Sequence, residues 1–173
     1  EVIFGDYNPG GKLPVTFYES TADLPDFLDY SMENRTYRYF RGTAQYAFGY
    51  GLSYTTFEVG KAKISKKSMK TDGSVTITVP VTNTGDREGT ETIQVYVKAL
   101  DYDEASIKDL RGFSKVSLKP GETKKVTIEL NGESFQYYDP SIDELSTKTG
   151  RYQIFYGTSS LEKDLKTIDF VVK

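Results

Sequence analysis

From about residue 58 onward, apolar and polar residues alternate in short runs separated by turn formers. Val75, Ile77, Val79 and Val81 fall on one face of a predicted strand, with Thr76, Thr78 and Thr82 on the other. That run stops at Asn83-Thr84-Gly85-Asp86, a turn cluster. Ile93, Val95 and Val97 repeat the alternation, opposite Gln94, Tyr96 and Lys98. Phe113, Val116 and Leu118 lead into Lys119-Pro120-Gly121-Glu122, where Pro-Gly suits a type II turn because Gly accepts positive φ. Val126, Ile128 and Leu130 mark the next strand, ending at Asn131-Gly132. Tyr152, Ile154 and Tyr156 follow Gly150, and Ile168, Phe170 and Val172 close the chain. Adding Phe57–Ile64 and Phe135–Tyr138 gives roughly seven or eight strands at the spacing of an all-β sandwich, immunoglobulin-like or fibronectin-like. Period two implies that each strand buries one face, as antiparallel packing requires. Pro80 lacks a backbone donor and is expected to face an edge or a bulge.

Residues 1–56 follow another pattern and are read as an arm, with the sandwich occupying 57–173. Val2–Phe4 and Leu13–Tyr18 are the only clean strand candidates, and Pro9-Gly10-Gly11 and Leu24-Pro25 break up the remainder. Eight rings crowd the stretch from Tyr37 to the start of the sandwich: Tyr37, Tyr39, Phe40, Tyr46, Phe48, Tyr50, Tyr54 and Phe57. A disordered linker is depleted in aromatics, so the arm is expected to be ordered. Each ring buries roughly 150–250 Å². One sandwich face could hardly cover them all, so the rings are expected to be covered by protein outside this chain. Glu1-Val2-Ile3-Phe4, with no initiator Met, reads as the back end of a longer polypeptide.

Composition mainly removes possibilities. A chain of 173 residues is one domain, or one domain with an extension, and can bury a real core. There is no Cys, hence no disulfide or thiolate metal site, and no His, the commonest general base and metal ligand. A net charge of −3 carries no polyanion signature, so no nucleic-acid partner is expected. No apolar run approaches the ~20 residues of a membrane span, and residues 1–15 do not read as a signal peptide. There is no Gly-x-Ser-x-Gly, and Gly11-Lys12 is followed by Leu and Pro rather than by Ser or Thr of a phosphate loop. The acidic loop Asp101-Tyr102-Asp103-Glu104 offers oxygen ligands for Ca²⁺ but lacks EF-hand spacing, and the plainer reading is a solvated loop. No catalytic residue, cofactor or metal is expected within the chain.

Longer strings carry more. Phe4-Gly5-Asp6-Tyr7-Asn8-Pro9-Gly10-Gly11-Lys12-Leu13-Pro14-Val15-Thr16-Phe17 resembles the segment that closes the α/β domain of glycoside hydrolase family 3. Arg35-Thr36-Tyr37-Arg38-Tyr39-Phe40, then Tyr46-Ala47-Phe48-Gly49-Tyr50-Gly51-Leu52-Ser53-Tyr54-Thr55, resembles the next signature of that family, which precedes its fibronectin type III-like domain. Ala47 stands where many members carry Pro. Val81-Thr82-Asn83-Thr84-Gly85, Leu110-Arg111-Gly112-Phe113-Ser114-Lys115 and Gly150-Arg151-Tyr152 resemble that domain itself. The resemblance implies retaining hydrolysis of β-glycosides, with two carboxyls about 5–5.5 Å apart. It places the Asp nucleophile in a barrel domain and the acid/base Glu in the α/β domain. Neither is found here: the nucleophile typically follows Ser, and the chain has no Ser-Asp dipeptide. Catalysis thus belongs to the remainder of a parent enzyme, β-xylosidase by its Arg-Thr-Tyr-Arg-Tyr-Phe wording and β-glucosidase second. Its substrate is an oligosaccharide and its setting periplasmic or secreted, in a bacterium.

Two readings stay open for Tyr37, Arg38, Tyr39 and Phe40. They pack the arm against catalytic domains, or they form a wall of the sugar-binding cleft, where rings stack on sugars and Arg donates to hydroxyls. Gly5, Gly10, Gly11 and Pro14 read as backbone geometry, a tight turn into a strand. The alternative for the whole chain is an independent, non-catalytic carbohydrate-binding or adhesion sandwich. Such a module would not need about fifty residues of turn and aromatic sequence ahead of its first strand.

Overall fold

The computed structural model describes residues 1–102 and 105–173. Asp103 and Glu104 of the acidic loop lie outside the described residues. The arm contains β1 (Phe17–Tyr18), a one-turn helix α1 (Thr36–Tyr39) and β2 (Ala44–Tyr46). The sandwich contains β3 (Phe57–Val59), β4 (Lys63–Ile64), β5 (Ser68–Met69), β6 (Ser74–Asn83), β7 (Gly89–Ala99), β8 (Asp109–Leu118) and β9 (Thr123–Asn131). It continues through β10 (Gln136–Asp139), β11 (Glu144–Thr147), β12 (Gly150–Gly157) and β13 (Leu165–Val172).

One sheet places β6 between β9 and the short pair β3 and β4, all antiparallel. The other has the order β5-β13-β12-β7-β8. Val75, Ile77, Val79 and Val81 of β6 are fully buried, as their alternation with Thr requires. Val75, Ile77 and Val79 lie in register with Leu130, Ile128 and Val126 of β9. Ile93, Val95, Val97, Ile154, Phe170 and Val172 meet them from the opposite sheet. Phe135 plugs one end, stacked on Phe170 at 5.4 Å and edge-on to Tyr152 at 5.0 Å. Each such side chain contributes about 1.5–3 kcal/mol of apolar burial.

Pro80 lies in the central strand β6, neither at a sheet edge nor at a bulge, but opposite an interruption in the neighbouring strand. The Gly60 amide donates to the Pro80 carbonyl at 2.8 Å, and a residue's nitrogen and carbonyl point to the same side of a strand. The donorless nitrogen therefore faces the break between β3 and β4. That break splits the single strand expected over Phe57–Ile64. A Cβ on Gly60 would lie 2.7 Å from Pro80 Cγ, so close approach demands glycine there.

Other expectations are corrected. Val2–Phe4 is a turn, closed by Gly5 N donating to Val2 O at 3.1 Å, and only Phe17–Tyr18 of Leu13–Tyr18 is strand. A strand needs a neighbour: Leu13 instead bonds twice to the Gly49–Tyr50 segment, through its N–H to Tyr50 O and its C=O to Gly49 N, each at 2.8 Å. Phe135 ends a 3₁₀ turn, and Gln136–Asp139 pairs with β11 as a hairpin outside both sheets. Phe113 points away from the core because it is an odd number of residues from Val116, and Gly112 takes the inward place against Ile128.

The largest departure concerns β7. Gln94 and Tyr96 are as buried as Val95 and Val97, so this strand is covered on both faces.

Candidate functional site

The second covering is the arm. Tyr37 stacks on Phe48 with ring centroids 4.2 Å apart and meets Tyr96 edge-on at 5.7 Å. The Leu110 amide donates to Tyr37 Oη at 2.9 Å, and the Ser160 amide to Phe48 O at 2.9 Å. Gln94 Nε2 donates to Gly49 O and Thr158 O, while its Oε1 accepts from the Tyr96 hydroxyl. Burial pushes the Tyr96 hydroxyl well above the ordinary tyrosine range, with Tyr37 adding to the shift. Tyr37 is raised for the same first reason.

The glycine-rich string near the start holds this arrangement by close approach. A Cβ on Gly10 would lie 3.1 Å from Thr90 O, and one on Gly51 would collide with the Gly11 carbonyl. Lys12 Nζ pairs with Glu91 Oε1 at 2.7 Å in a largely covered setting. Asn8 donates to Glu88 O at 2.9 Å and accepts from Ser53 Oγ and Tyr54 N. Asn83 closes the other side. Its Nδ2 donates to Arg87 O and Leu118 O at 2.8 and 2.9 Å, and its Oδ1 accepts from Thr55 Oγ1 and Gly85 N at 2.7 and 3.1 Å. The Asn-Thr-Gly turn therefore fastens the arm to the sandwich, a role that a turn signal alone does not disclose.

Of the eight rings from Tyr37 to Phe57, six are thus partly covered from within the chain, a cover the sequence did not suggest, while Tyr46 and Tyr54 remain exposed. Phe40 packs edge-on against Tyr18 at 4.8 Å, and Tyr46 lies against Tyr50 at 5.3 Å. The outward apolar residues sit earlier: Ile3, Phe4, Phe27, Leu28 and Tyr30 are 75–90% exposed.

The four candidate residues diverge around α1. Tyr37 and Phe40 line a cleft shared with Ile107 and Lys108. Arg38 and Tyr39 line a different one with Tyr102, Ser106, Arg111 and Tyr138. Thr36, at the start of α1, has φ +54, a left-handed conformation that strains a β-branched residue. Arg38 Nε pairs with Asp109, whose other oxygen lies 3.3 Å from Arg111 Nη2. Asp109, only 4% exposed, is held between two guanidiniums; composition offered no signal for this triad. Such a carboxylate serves structure rather than proton transfer. Asp143 and Glu144 are exposed, with Asp143 accepting from the Tyr138 hydroxyl at 2.6 Å. Among the described residues, no three His, Cys, Asp or Glu side chains gather as metal ligands, and no helix is long and apolar enough to cross a membrane.

Two packed β-sheets, with an aromatic arm docked along one of them, define a fibronectin type III-like sandwich that carries an N-terminal arm. Family comparison agrees on both parts. Residues 1–54 match the Glycosyl hydrolase family 3 C-terminal domain, and residues 91–160 match the Fibronectin type III-like domain. The Xylan 1,4-beta-xylosidase of Xylanibacter ruminicola is 52% identical over 97% of this chain and 19% of its own length. The Periplasmic beta-glucosidase of Salmonella typhimurium is 38% identical over 92% of this chain and 22% of its own. Among solved structures, the Beta-glucosidase of Kluyveromyces marxianus superposes with a TM-score of 0.84 at 35% identity, covering 99% of this chain and 22% of that one. The chain belongs to glycoside hydrolase family 3, as a C-terminal part that includes the fibronectin type III-like domain. It spans roughly a fifth of the length of the curated relatives it matches.

Proposed function

We propose that this chain is the non-catalytic C-terminal portion of an enzyme that releases β-linked sugars from the non-reducing ends of oligosaccharides, β-xylosides first and β-glucosides second. Its role is to brace the catalytic barrel and α/β domains. One observation carries the bracing role: the row of outward apolar residues, Ile3, Phe4, Phe27, Leu28 and Tyr30, on an arm whose inner side is already docked. The preference for β-xylosides rests on the 52% identity to a xylosidase. Nucleic acid has no place in this reading. Arg38 and Tyr39 are proposed to border the sugar cleft of the whole enzyme, with Tyr37 and Phe40 as their packing support.

The chain by itself is expected to show no turnover of aryl β-xyloside or aryl β-glucoside, assayed by release of the aryl alcohol; measurable turnover would place catalytic groups inside it. A second test separates bracing from the independent binding or adhesion module. Phe27→Asp in the whole enzyme is expected to lower stability by about 2–3 kcal/mol, because a charge replaces a ring at a covered contact. In the 173-residue chain alone, where Phe27 is 90% exposed, the same change should leave the urea midpoint unmoved. Equal effects in both proteins would remove the bracing role.

A further inference from the structure

The segment that opens the sandwich carries a charge pattern that neither the core nor the arm uses. Residues 61–70, Lys-Ala-Lys-Ile-Ser-Lys-Lys-Ser-Met-Lys, hold five lysines and no acidic residue. Ala62, Ile64 and Met69 pack against the core, while Lys61, Lys63, Lys66, Lys67 and Lys70 are all exposed. The segment crosses from the edge of one sheet, where β4 pairs with β6, to the edge of the other, where β5 runs parallel to β13. Backbone bonds fix it there: Val171 N donates to Lys67 O at 3.2 Å, and Lys173 N to Met69 O at 2.8 Å. Further along the same edge, the Lys166 ammonium donates to Val59 O. Lys166 and Lys173, both exposed, therefore join the five. Counted along β13 from Lys166 to Lys173, the row is roughly 23 Å long. Glu58, Asp72 and Asp169 stand on the same strands and turns. Among the described residues, none of the seven lysines is in a salt bridge.

Lysine on an edge strand guards against edge-to-edge pairing, but that guard needs few charges. β8, the edge strand at the opposite end of the same sheet, carries only Lys115 besides the Arg111–Asp109 pair. Seven of the 22 basic residues on one edge, in a chain of net charge −3, make a local field that the net charge conceals. The composition of the row narrows its partner. Residues 61–70 contain no arginine to fork onto a single phosphate or carboxylate, and no ring to stack on a base. Ammonium groups on flexible stems are strongly hydrated point charges. They suit an anionic surface whose charges are many and keep no fixed register, and lipid headgroups form such a surface. Position agrees: β5 lies three strands from β7, at the end of the sheet away from the docked arm.

We propose that this lysine edge is a docking surface for a membrane of anionic phospholipid, touched peripherally and without insertion. The inward Ile64 and Met69 leave no large apolar side chain of the segment to enter a bilayer. The attraction is therefore electrostatic and decays within a Debye length, about 8 Å at physiological salt. It does not depend on the glycosidase reading, and an inactive whole enzyme would leave it standing.

The experiment is flotation of the 173-residue chain with vesicles of phosphatidylcholine containing about 40% phosphatidylglycerol, beside vesicles of phosphatidylcholine alone. At about 50 mM salt the chain should float with the anionic vesicles only, and about 500 mM should release it. The triple variant Lys66→Glu, Lys67→Glu, Lys70→Glu should lower the apparent affinity about tenfold or more. Its melting temperature should be unchanged, since all three positions are exposed. A second triple, Lys115→Glu, Lys119→Glu, Lys125→Glu, makes the same change in net charge at exposed positions on β8, β9 and the turn between them. It should lose less than about threefold. Absence of flotation at low salt, equal binding to neutral vesicles, insensitivity to salt or equal losses in the two triples would overturn the proposal. So would tighter retention by dextran sulfate or duplex DNA at the same salt, which would assign the edge to a linear polyanion.

Discussion

Alkaline titration is expected to unfold the chain within about two to three pH units above 10, with tyrosinate absorbance rising in step with loss of structure. Burial is the cause. Tyr96 and Tyr152 are fully buried, and desolvation raises both above the ordinary tyrosine value; Tyr137 is raised in the same way. The sign follows from linkage. A raised folded pKa means that the neutral hydroxyl is the form the fold favours, so its contribution is fully present below the unfolded value of about 10 and disappears as pH rises toward the folded value. Each such group withdraws about 1.4 kcal/mol per pH unit across that window. Tyr96 and Tyr152 alone withdraw several kcal/mol within a few units, a large share of a typical domain stability of about 5–15 kcal/mol, and Tyr137 acts in the same direction. Tyr96→Phe should flatten the alkaline slope by one group's share, read from urea midpoints at successive pH values. Ionisation of all tyrosines near pH 10 with the fold intact would refute the argument.

Asn83→Ala is expected to cost about 3–5 kcal/mol and to lower the melting temperature by roughly 10 °C. Four hydrogen bonds converge on this fully buried side chain, and alanine leaves the carbonyls of Leu118 and Arg87 and the Thr55 hydroxyl without it. Asn83→Asp separates size from hydrogen bonding. It keeps the shape and the acceptor for Thr55 but cannot donate to two carbonyls, so it should be at least as damaging at neutral pH. A loss below about 1 kcal/mol in the alanine variant would mean that water replaces the side chain.

The sandwich was legible because its information is local. Val75 to Val81 and Val126 to Leu130 announce their inward faces by alternation, and the turns at Asn83-Thr84-Gly85 and Pro120-Gly121 stand where strands reverse. The family strings were legible for a related reason: Gly10 and Gly51 mark close backbone approaches, and Asn8 and Asn83 mark buried hydrogen-bond hubs that few residues can replace. The divergence of Tyr37 and Phe40 from Arg38 and Tyr39 was not legible. A single turn of helix sends neighbours to different sides, and nothing in Thr-Tyr-Arg-Tyr indicates that so short a helix forms.

By itself the sequence determined the all-β class, the inward row of each long strand and the turns between them, since a period of two is a property of adjacent residues. Only the tertiary structure decided that the second face of β7 is buried as well, and that Ser106 and Arg111 share a cleft with Tyr39 and Tyr138. Alternation says that Gln94 and Tyr96 point opposite to Val95, but not what lies there. Their cover comes from Tyr37 and Gly49, more than forty positions away, and a local pattern carries no record of such a distant contact.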